Sequence, residues 1–176
     1  WHFSGPFNIE TGKPLYAGGE EGYEEITCRY LLDKMKKDPS VVAITSGTPG
    51  VMGFTKSKRE EAGKQFVDVG IAEEHAVTFA AGLASQGLLP VVAIYSTFFQ
   101  RAYDQIIHDV NLLHENVVFA VDRAGFVPGD GETHQGIYDP AFLSQTGMPI
   151  YSPSNYEELR HWLPILLSHE MQGPRA

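Results

Sequence analysis

The sequence predicts an α/β fold, a three-layer sandwich with about six mostly parallel strands between two layers of helices. Short runs of almost wholly apolar residues alternate with helical segments, and such runs are typical of a parallel sheet that helices cover on both faces. Polar residues and glycines follow several of these runs, as expected where ligands bind at the carboxyl ends of parallel strands. The 176 residues suit one domain with a substantial core.

The beginning of the chain divides into an arm and the start of this domain. Residues 1–23 are rich in Gly, Pro and Tyr and follow no period, so we predict an N-terminal arm or linker there and the domain over 24–176. Residues 24–38 carry acids first and lysines last, which complements the helix dipole and predicts the first helix. The β-branched run at 41–46 predicts the first buried strand.

The rest of the domain repeats the alternation of strand and helix. Ser96 or Thr97 is predicted to cap the helix that follows its strand, and Pro164 to kink or interrupt the last helix. Further strands are predicted over 66–70, 91–96 and 117–123, and helices over 73–86, 98–114 and 155–169. We expect helix 73–86 to be buried on all sides, because it is apolar nearly all round.

Composition argues against several classes of function. The net charge of −9 speaks against nucleic acid and anionic membranes as partners, because both favour basic surfaces. The stretch 77–99 has no charged residue, but Gly87 and Pro90 interrupt it, so it predicts a buried helix and strand and no membrane span. Cys28 is the one cysteine; we interpret it as a core residue and expect a cytoplasmic protein.

Two adjacent acids, Glu73 and Glu74, stand with His75 where a predicted strand turns into the apolar helix. An acid in the first turn of a helix ordinarily compensates the helix dipole, and this interpretation suits both acids. A carboxyl at the mouth of a buried helix is also poorly solvated, and desolvation makes it a candidate proton donor. The periodicity does not choose between Glu73 and Glu74.

The next strand end carries aromatic residues beside a cation. Phe98 is consistent with an ordinary core residue, and Arg101 with a surface partner of Asp104 or Asp109. Tyr95, Phe98 and Arg101 also fit a ligand wall, in which an aromatic platform lies beside a positive charge. The sequence pattern leaves both interpretations open.

The polar, glycine-rich loop 122–136 follows the last predicted strand and is the third candidate. Such loops often form ordinary surface, but one that follows a buried parallel strand lies at the ligand edge of the sheet. Arg123 is a candidate for gripping a phosphate, and Asp130 and His134 for binding hydroxyls or moving protons. The loop lacks the common nucleotide-binding glycine patterns, and the histidines are scattered, so we predict no metal site within the chain.

Three long segments together resemble one family. Residues 68–84 (DVGIAEEHAVTFAAGLA), 91–110 (VVAIYSTFFQRAYDQIIHDV) and 121–139 (VDRAGFVPGDGETHQGIYD) are similar to the central, pyrimidine-binding domain of the 1-deoxy-D-xylulose-5-phosphate synthases. These are thiamine-diphosphate enzymes related to transketolase, and the resemblance covers roughly the whole chain. It implies a transferase that condenses pyruvate with glyceraldehyde 3-phosphate and releases carbon dioxide, supplying isoprenoid, thiamine and pyridoxal synthesis.

The resemblance also implies which residues meet the cofactor. Glu73 matches the family's catalytic, cofactor-activating glutamate, which hydrogen-bonds a pyrimidine ring nitrogen and promotes the imino tautomer that takes the proton from the thiazolium carbon. Phe98 matches the aromatic residue that stacks on the pyrimidine. For Glu74 and His75 we expect a supporting role at the start of the helix.

Substrate contacts are implied in the same way. Tyr95 and Arg123 match the groups that bind the phosphate of the aldehyde substrate, and Arg101 matches a further arginine of the pocket. Asp130 and His134 match residues that contact the hydroxyls and carbonyl of the substrates, and His134 is also expected to act in catalysis.

The resemblance covers one domain of a much longer family chain. That family binds Mg²⁺ and the diphosphate through a GDG…N motif in another domain, whereas the GDG at 129–131 lies in the substrate loop. We therefore expect a truncated domain without a last strand, inactive alone, whose parent is a homodimer that adds diphosphate-binding and C-terminal domains. The alternatives are a subunit of another split thiamine-diphosphate enzyme, either transketolase-like or a 2-oxo-acid dehydrogenase, and a non-catalytic binding module; the loop 122–136 favours the synthase.

Overall fold

A parallel sheet forms the middle layer of the domain in a computed structural model, which describes residues 7–13, 15, 21–127 and 131–176. The described residues contain four strands, which are β1 (Val41–Thr45), β2 (Phe66–Asp68), β3 (Leu89–Tyr95) and β4 (Val118–Asp122). Their order across the sheet is β2-β1-β3-β4, and every neighbouring pair is parallel. The predicted α/β class with a parallel sheet is confirmed. About half of the predicted arm, residues 1–23, lies outside the described residues.

Helices cover both faces of this sheet. The described α-helices are α1 (Tyr23–Met35), α2 (Lys56–Ala62), α3 (Glu73–Ala84), α4 (Ser96–Phe99), α5 (Tyr103–Gln105), α6 (Asp139–Ser144) and α7 (Tyr156–Leu166). Short 3₁₀ helices span Gly63–Gln65, Gln100–Ala102 and Glu132–His134, and a π-helix spans Ile106–Asn111. The helix predicted over 98–114 is therefore four consecutive segments of different pitch, of which the π-helix is a form often found near functional sites.

Two apolar layers hold the helices to the sheet. The strands alternate, so that Val42, Ile44, Val92 and Ile94 face α3, α4 and the π-helix, while Val41, Ala43, Val91 and Ala93 face α1 and α7. Cys28 is a buried core residue of α1, as predicted, and burial raises the pKa of its thiol to about 11. Pro164 lies within α7, where it has no N–H to donate to the Arg160 carbonyl, and the helix continues past it to Leu166.

One further segment, at 175–176, lies along the outer edge of β4, and a second, at 149–151, pairs with Ala176; neither forms a strand. Arg175 makes a single parallel bridge with Val118. The N–H of Ala176 donates to the Pro149 carbonyl at 3.1 Å, and the Ala176 carbonyl accepts from the N–H of Tyr151 at 2.8 Å. The prediction of about six strands is wrong for the described residues, because these segments form isolated bridges and no ladder.

The topology places a ligand crevice at the carboxyl edge of the sheet. The chain runs from β1 outward to β2 on one side and then continues with β3 on the other side of β1. In open parallel sheets, ligands bind at such a reversal of strand order, outside the carboxyl ends of the two strands. The three polar segments singled out from sequence all follow strands at this edge. None of the helices in the described part of the chain is long and apolar enough to cross a bilayer.

Candidate active site

Glu73 is the first residue of α3 and lies at the end of a tightly held turn. Asp68, the last residue of β2, accepts hydrogen bonds from the N–H of Gly70 at 3.0 Å and from the N–H of Gly47 at 2.8 Å. Gly70 has a φ of 75°, a conformation that glycine adopts without strain. This turn brings Glu73 into the protein with 2 % of its surface exposed, whereas Glu74 is exposed to solvent.

Arg101 is the partner of the buried Glu73 carboxylate. Its Nη1 donates to Glu73 Oε1 at 3.1 Å, although the arginine side chain itself is 53 % exposed. The surface pairing of Arg101 with Asp104 or Asp109 is wrong, since both aspartates have other contacts and Arg101 pairs with Glu73. A cation beside a buried carboxylate stabilises its charged form, which offsets part of the desolvation cost.

An aromatic wall adjoins this ion pair. The rings of Tyr95 and Phe98 stack with centroids 5.2 Å apart and planes 17° apart, and the His134 ring meets Phe98 edge to face at 5.4 Å. The Arg101 guanidinium lies 5.1 Å from the centroid of the Phe98 ring, and the Arg123 guanidinium 4.8 Å from that of Tyr95. The structure thus joins these five residues and Glu73 in one chain of contacts at the sheet edge.

The loop that carries His134 is closed at its base. Gly125 and Gly136 exchange two backbone hydrogen bonds of 2.7 and 2.8 Å. Within the loop, the Gln135 side chain accepts from the N–H of Val127 at 2.8 Å and donates to the carbonyls of Val127 and Gly131. These bonds hold the two ends of the loop together and tie Gln135, the neighbour of His134, to Val127 and Gly131.

Two further features of this loop concern the predicted substrate groups. Arg123, which directly follows β4, has a φ of 55°, a left-handed conformation that costs a non-glycine residue on the order of 1 kcal/mol. Strained backbone of this kind is concentrated at functional sites. Asp130, the remaining predicted substrate residue, lies outside the described residues.

Asp139 is a buried carboxylate near the aromatic wall that the sequence did not indicate. Asp139 is the first residue of α6, with 5 % of its surface exposed, and its Oδ1 accepts a 2.5 Å hydrogen bond from Ser96 Oγ. The prediction that Ser96 or Thr97 caps the following helix is wrong, because Ser96 is already helical and its hydroxyl binds Asp139. An acid before Pro140 is ordinary at a helix start, so no local signal marks the burial of Asp139.

Two buried hydroxyls at this edge have no partner among the described residues. They are Ser46 Oγ, directly after β1, and Thr97 Oγ1, in α4 beside Phe98. Buried polar atoms are usually hydrogen-bonded, so an orphaned hydroxyl is typical of a place where a ligand or water belongs. A buried carboxylate, an aromatic face and a spare hydroxyl together suit a flat heteroaromatic ring with polar edge atoms.

A large cavity in the described residues lies mainly elsewhere. It has a volume of about 840 Å³, opens between β4, α1 and α7, and has a mostly apolar wall. Arg123 and Asp139 border it, but Glu73 and Phe98 do not. The chemistry-bearing side chains therefore place the candidate site at the carboxyl edge and not in this cavity. In the described part of the chain, no group of three or more His, Cys, Asp or Glu could hold a metal ion.

Comparison with known proteins gives a family match over residues 25–176, to the model described as transketolase, pyrimidine binding domain. A curated 1-deoxy-D-xylulose-5-phosphate synthase from Anaeromyxobacter sp. (strain K) is 51 % identical over 172 residues, which is 97 % of this chain and 27 % of the relative. That from Lachnoclostridium phytofermentans is 48 % identical over 177 residues, 100 % of this chain and 28 % of the relative. The chain thus spans about a quarter of the length of these relatives, and the resemblance drawn from the three segments is confirmed.

Solved structures show the same fold. A split gene transketolase, described as an inactive beta4 tetramer, matches with a TM-score of 0.71 and 25 % identity over 89 % of this chain and 50 % of its own. The transketolase from Campylobacter jejuni matches with a TM-score of 0.72 and 18 % identity, over 93 % of this chain and 26 % of its own. Both comparisons support the same arrangement of helices around a parallel sheet.

Proposed function

This chain belongs to the transketolase pyrimidine-binding domain family, and we propose on that premise that it is part of a 1-deoxy-D-xylulose-5-phosphate synthase. The reaction joins C2 of pyruvate to the aldehyde carbon of glyceraldehyde 3-phosphate, while the bond from C2 to the carboxylate breaks and carbon dioxide leaves. The identity of about 50 % to synthases along almost the whole chain supports this substrate pair. The product would supply isoprenoid, thiamine and pyridoxal synthesis.

The residues at the carboxyl edge fit thiamine diphosphate, whose thiazolium carbon would supply the nucleophile for pyruvate. Phe98 offers a ring face for the pyrimidine, and the Glu73 carboxyl would share a proton with a ring nitrogen. Arg101 binds Glu73 Oε1 and fixes the orientation of the carboxyl, so that the interaction with the ring is prepared before the cofactor binds. Because Glu73 is buried, water would be excluded from its hydrogen bond with the pyrimidine ring, and that bond would be stronger for it.

The cations and the loop suit the substrates. Arg123 and Tyr95 form a cation-on-ring pair that would receive the phosphate of the aldehyde, since a guanidinium binds phosphate oxygens through paired donors. His134, which lies at the edge of Phe98, would hold or move a proton at the substrate oxygens. Arg101 and Asp130 complete the proposed substrate-binding set.

Other parts of a longer protein would complete the site. We propose residues 24–176 as the pyrimidine-binding domain, 1–23 as its preceding linker, and a cytoplasmic homodimer in which a separate domain binds Mg²⁺ and the diphosphate. The 176-residue chain by itself is then expected to be inactive. A structural match supports this expectation: the split gene transketolase, of which this chain covers half, is described as an inactive beta4 tetramer.

The observation that carries the proposal is the contact between Glu73, Arg101 and Phe98, which combines a buried carboxylate with a stacking surface. The test is carbon dioxide release by the full-length protein with thiamine diphosphate, Mg²⁺ and pyruvate, with and without glyceraldehyde 3-phosphate. We expect release that depends on the aldehyde, and 1-deoxy-D-xylulose 5-phosphate as the product by mass spectrometry. The 176-residue chain in the same assay should give no turnover.

A second candidate is the pyrimidine-domain subunit of a split transketolase, which the structural match to a split gene transketolase favours. Such an enzyme would transfer a two-carbon unit from a ketose phosphate and release no carbon dioxide. Transfer from a ketose phosphate, restored by mixing this chain with a separate diphosphate-binding subunit, would replace the first proposal with this one.

A further inference from the structure

The hydrogen bond between Ser96 and Asp139 links two parts of the site that lie far apart in sequence. Ser96 Oγ donates to Asp139 Oδ1 at 2.5 Å, and the two residues are 2 % and 5 % exposed. A carboxylate with so little exposure is costly to bury, and a hydroxyl offsets that cost less fully than a cation does. The bond to Ser96 therefore depends on an acceptor oxygen at position 139, and what that bond holds in place calls for an explanation.

Each end of this bond lies a few residues from a residue of the proposed site. Ser96 begins α4, directly after Tyr95 and two residues before Phe98. Asp139 begins α6, three residues after Gly136, where the loop that carries His134 closes. The bond therefore runs from the element that bears the aromatic wall to the element that anchors the loop.

The described residues tie His134 to the base of its loop. The paired bonds between Gly125 and Gly136 close the base, and the Gln135 side chain, next to His134, binds Val127 and Gly131. His134 lies two residues before Gly136, so a shift at the base displaces its ring relative to Phe98, which it meets at 5.4 Å.

We infer that the Ser96–Asp139 hydrogen bond is a positioning pair, which holds the loop bearing His134 at contact distance from Phe98. This inference rests on the proposed function, in which Phe98 faces the cofactor and His134 faces the substrate. The pair sets the distance between the two and touches neither ligand. Displacement of a catalytic group by about 1 Å costs on the order of a hundredfold in rate, so the pair has a large effect on catalysis.

The experiment uses the full-length protein with Ser96→Ala, Asp139→Ala and Asp139→Asn. An asparagine keeps an oxygen that accepts the serine proton, so it tests the bond separately from the charge. The matched control is Thr78→Ala, which removes a second hydroxyl–carboxylate bond of 2.5 Å, to Asp109, on the exposed side of α3. Steady-state kinetics, thermal unfolding and the rate of diethylpyrocarbonate modification at His134 are measured for each variant.

Both alanine variants are expected to lower kcat/KM for the aldehyde phosphate by about tenfold to a hundredfold. They should also speed the modification of His134 in the cofactor-free protein, because the ring leaves its contact with Phe98, whereas the exposed His108 should react as before. Asp139→Asn should restore most of both properties relative to Asp139→Ala, and Thr78→Ala should change neither. Ser96→Ala and Asp139→Ala combined should cost no more than either alone, because both remove the same bond.

Folded alanine variants with the wild-type kcat/KM and the wild-type modification rate at His134 would overturn the inference. If one of them fails to fold, the other variant and Asp139→Asn still decide, since the modification rate needs no activity. Absence of any turnover of pyruvate by the wild type would contradict the proposed function instead, and the rate at His134 would still report on the positioning pair.

Discussion

Arg101, half exposed on its 3₁₀ turn, donates a 3.1 Å hydrogen bond to the carboxylate of Glu73, which is almost fully buried at the start of α3. The same guanidinium lies 5.1 Å from the centroid of the Phe98 ring. One cation thus contacts both the proposed cofactor-activating acid and the proposed stacking ring. Its loss would leave a buried charge without a partner.

The ion pair is expected to be energetically coupled. Arg101→Leu should destabilise the chain, and Arg101→Leu in a Glu73→Gln background should do so less, because no buried charge is then stranded. The coupling energy is measured by urea unfolding of the four proteins of a double-mutant cycle. We expect about 1–2 kcal/mol, a value that already allows for screening of the exposed arginine by water.

The control for that cycle is the exposed pair of Lys36 and Glu61, whose atoms lie 2.7 Å apart. Water screens this pair, so its cycle should show little or no coupling. Equal coupling energies for the two cycles would contradict the claim that burial of Glu73 makes the first pair special.

The close approach of backbone at Gly136 should tolerate no side chain. A Cβ there would lie 2.7 Å from the Cα of Ala124 and 2.8 Å from the N of Gly125, both of them backbone atoms. Gly136→Ala is expected to cost about 2–4 kcal/mol in urea unfolding and to open the base of the loop that carries His134. Gly82→Ala, in helix α3 with nothing within 4 Å of the new Cβ, should instead stabilise by about 0.5–1 kcal/mol. A neutral Gly136→Ala would show that the loop base is loose.

The unpaired hydroxyl of Ser46 should lower the free energy of unfolding of the ligand-free chain. Ser46 is 3 % exposed, and its Oγ has no partner among the described residues. Ser46→Ala is expected to raise the free energy of unfolding by about 1 kcal/mol, since it removes an unsatisfied buried group. Ser40→Ala, which removes a hydroxyl that donates to Asp38 at 2.5 Å, should lower it. A loss of stability in Ser46→Ala would mean that this hydroxyl has a bonded partner.

Asp38 should make stability depend on acid pH. Burial raises the pKa of this carboxyl, but hydrogen bonds from Ser40 and His169 outweigh burial and lower the pKa to about 2, from an ordinary value of 3.8. The folded state therefore holds the proton less tightly than the unfolded state, so the contribution is complete above pH 4 and is lost as the pH falls to 2. The contribution of Asp38 to the free energy of unfolding is about 2 kcal/mol at most, because water screens part of its interaction with Ser40 and His169.

The test for Asp38 is the free energy of unfolding in urea, measured at several pH values between 5 and 2 for the wild type and two variants. Asp38→Asn should flatten the decline in stability over that range, whereas Asp33→Asn, at an exposed position on α1, should leave it as in the wild type. An identical slope for Asp38→Asn and the wild type would remove Asp38 as the cause.

The sequence allowed the class of fold and the edge of the site to be predicted because both depend on local pattern. Apolar runs such as that of β3 mark strands buried on two faces, and the polar residues after each run mark the carboxyl edge. The contact of Phe98 with His134 follows from that edge, because the two segments end side by side.

What the sequence did not show are pairings between distant residues. Arg101 lies 28 positions from Glu73 and has nearer acids at Asp104 and Asp109, so local spacing left its partner open. Ser96 and Asp139 lie 43 positions apart, and each has an ordinary local interpretation as a residue at a helix start. Tertiary packing determines this pairing, because it brings α4 and α6 together and buries both side chains away from water.

The most direct test of the account concerns Glu73. In the full-length protein with bound thiamine diphosphate and Mg²⁺, the measurement is the rate at which the proton on the thiazolium carbon exchanges for deuterium. Glu73→Gln is expected to slow this exchange by about 10²–10⁴-fold, while Glu74→Gln, at the exposed neighbouring position, should leave it near the wild-type rate. Exchange as fast in Glu73→Gln as in the wild type, with cofactor bound, would contradict the assignment of Glu73 and with it the proposed site.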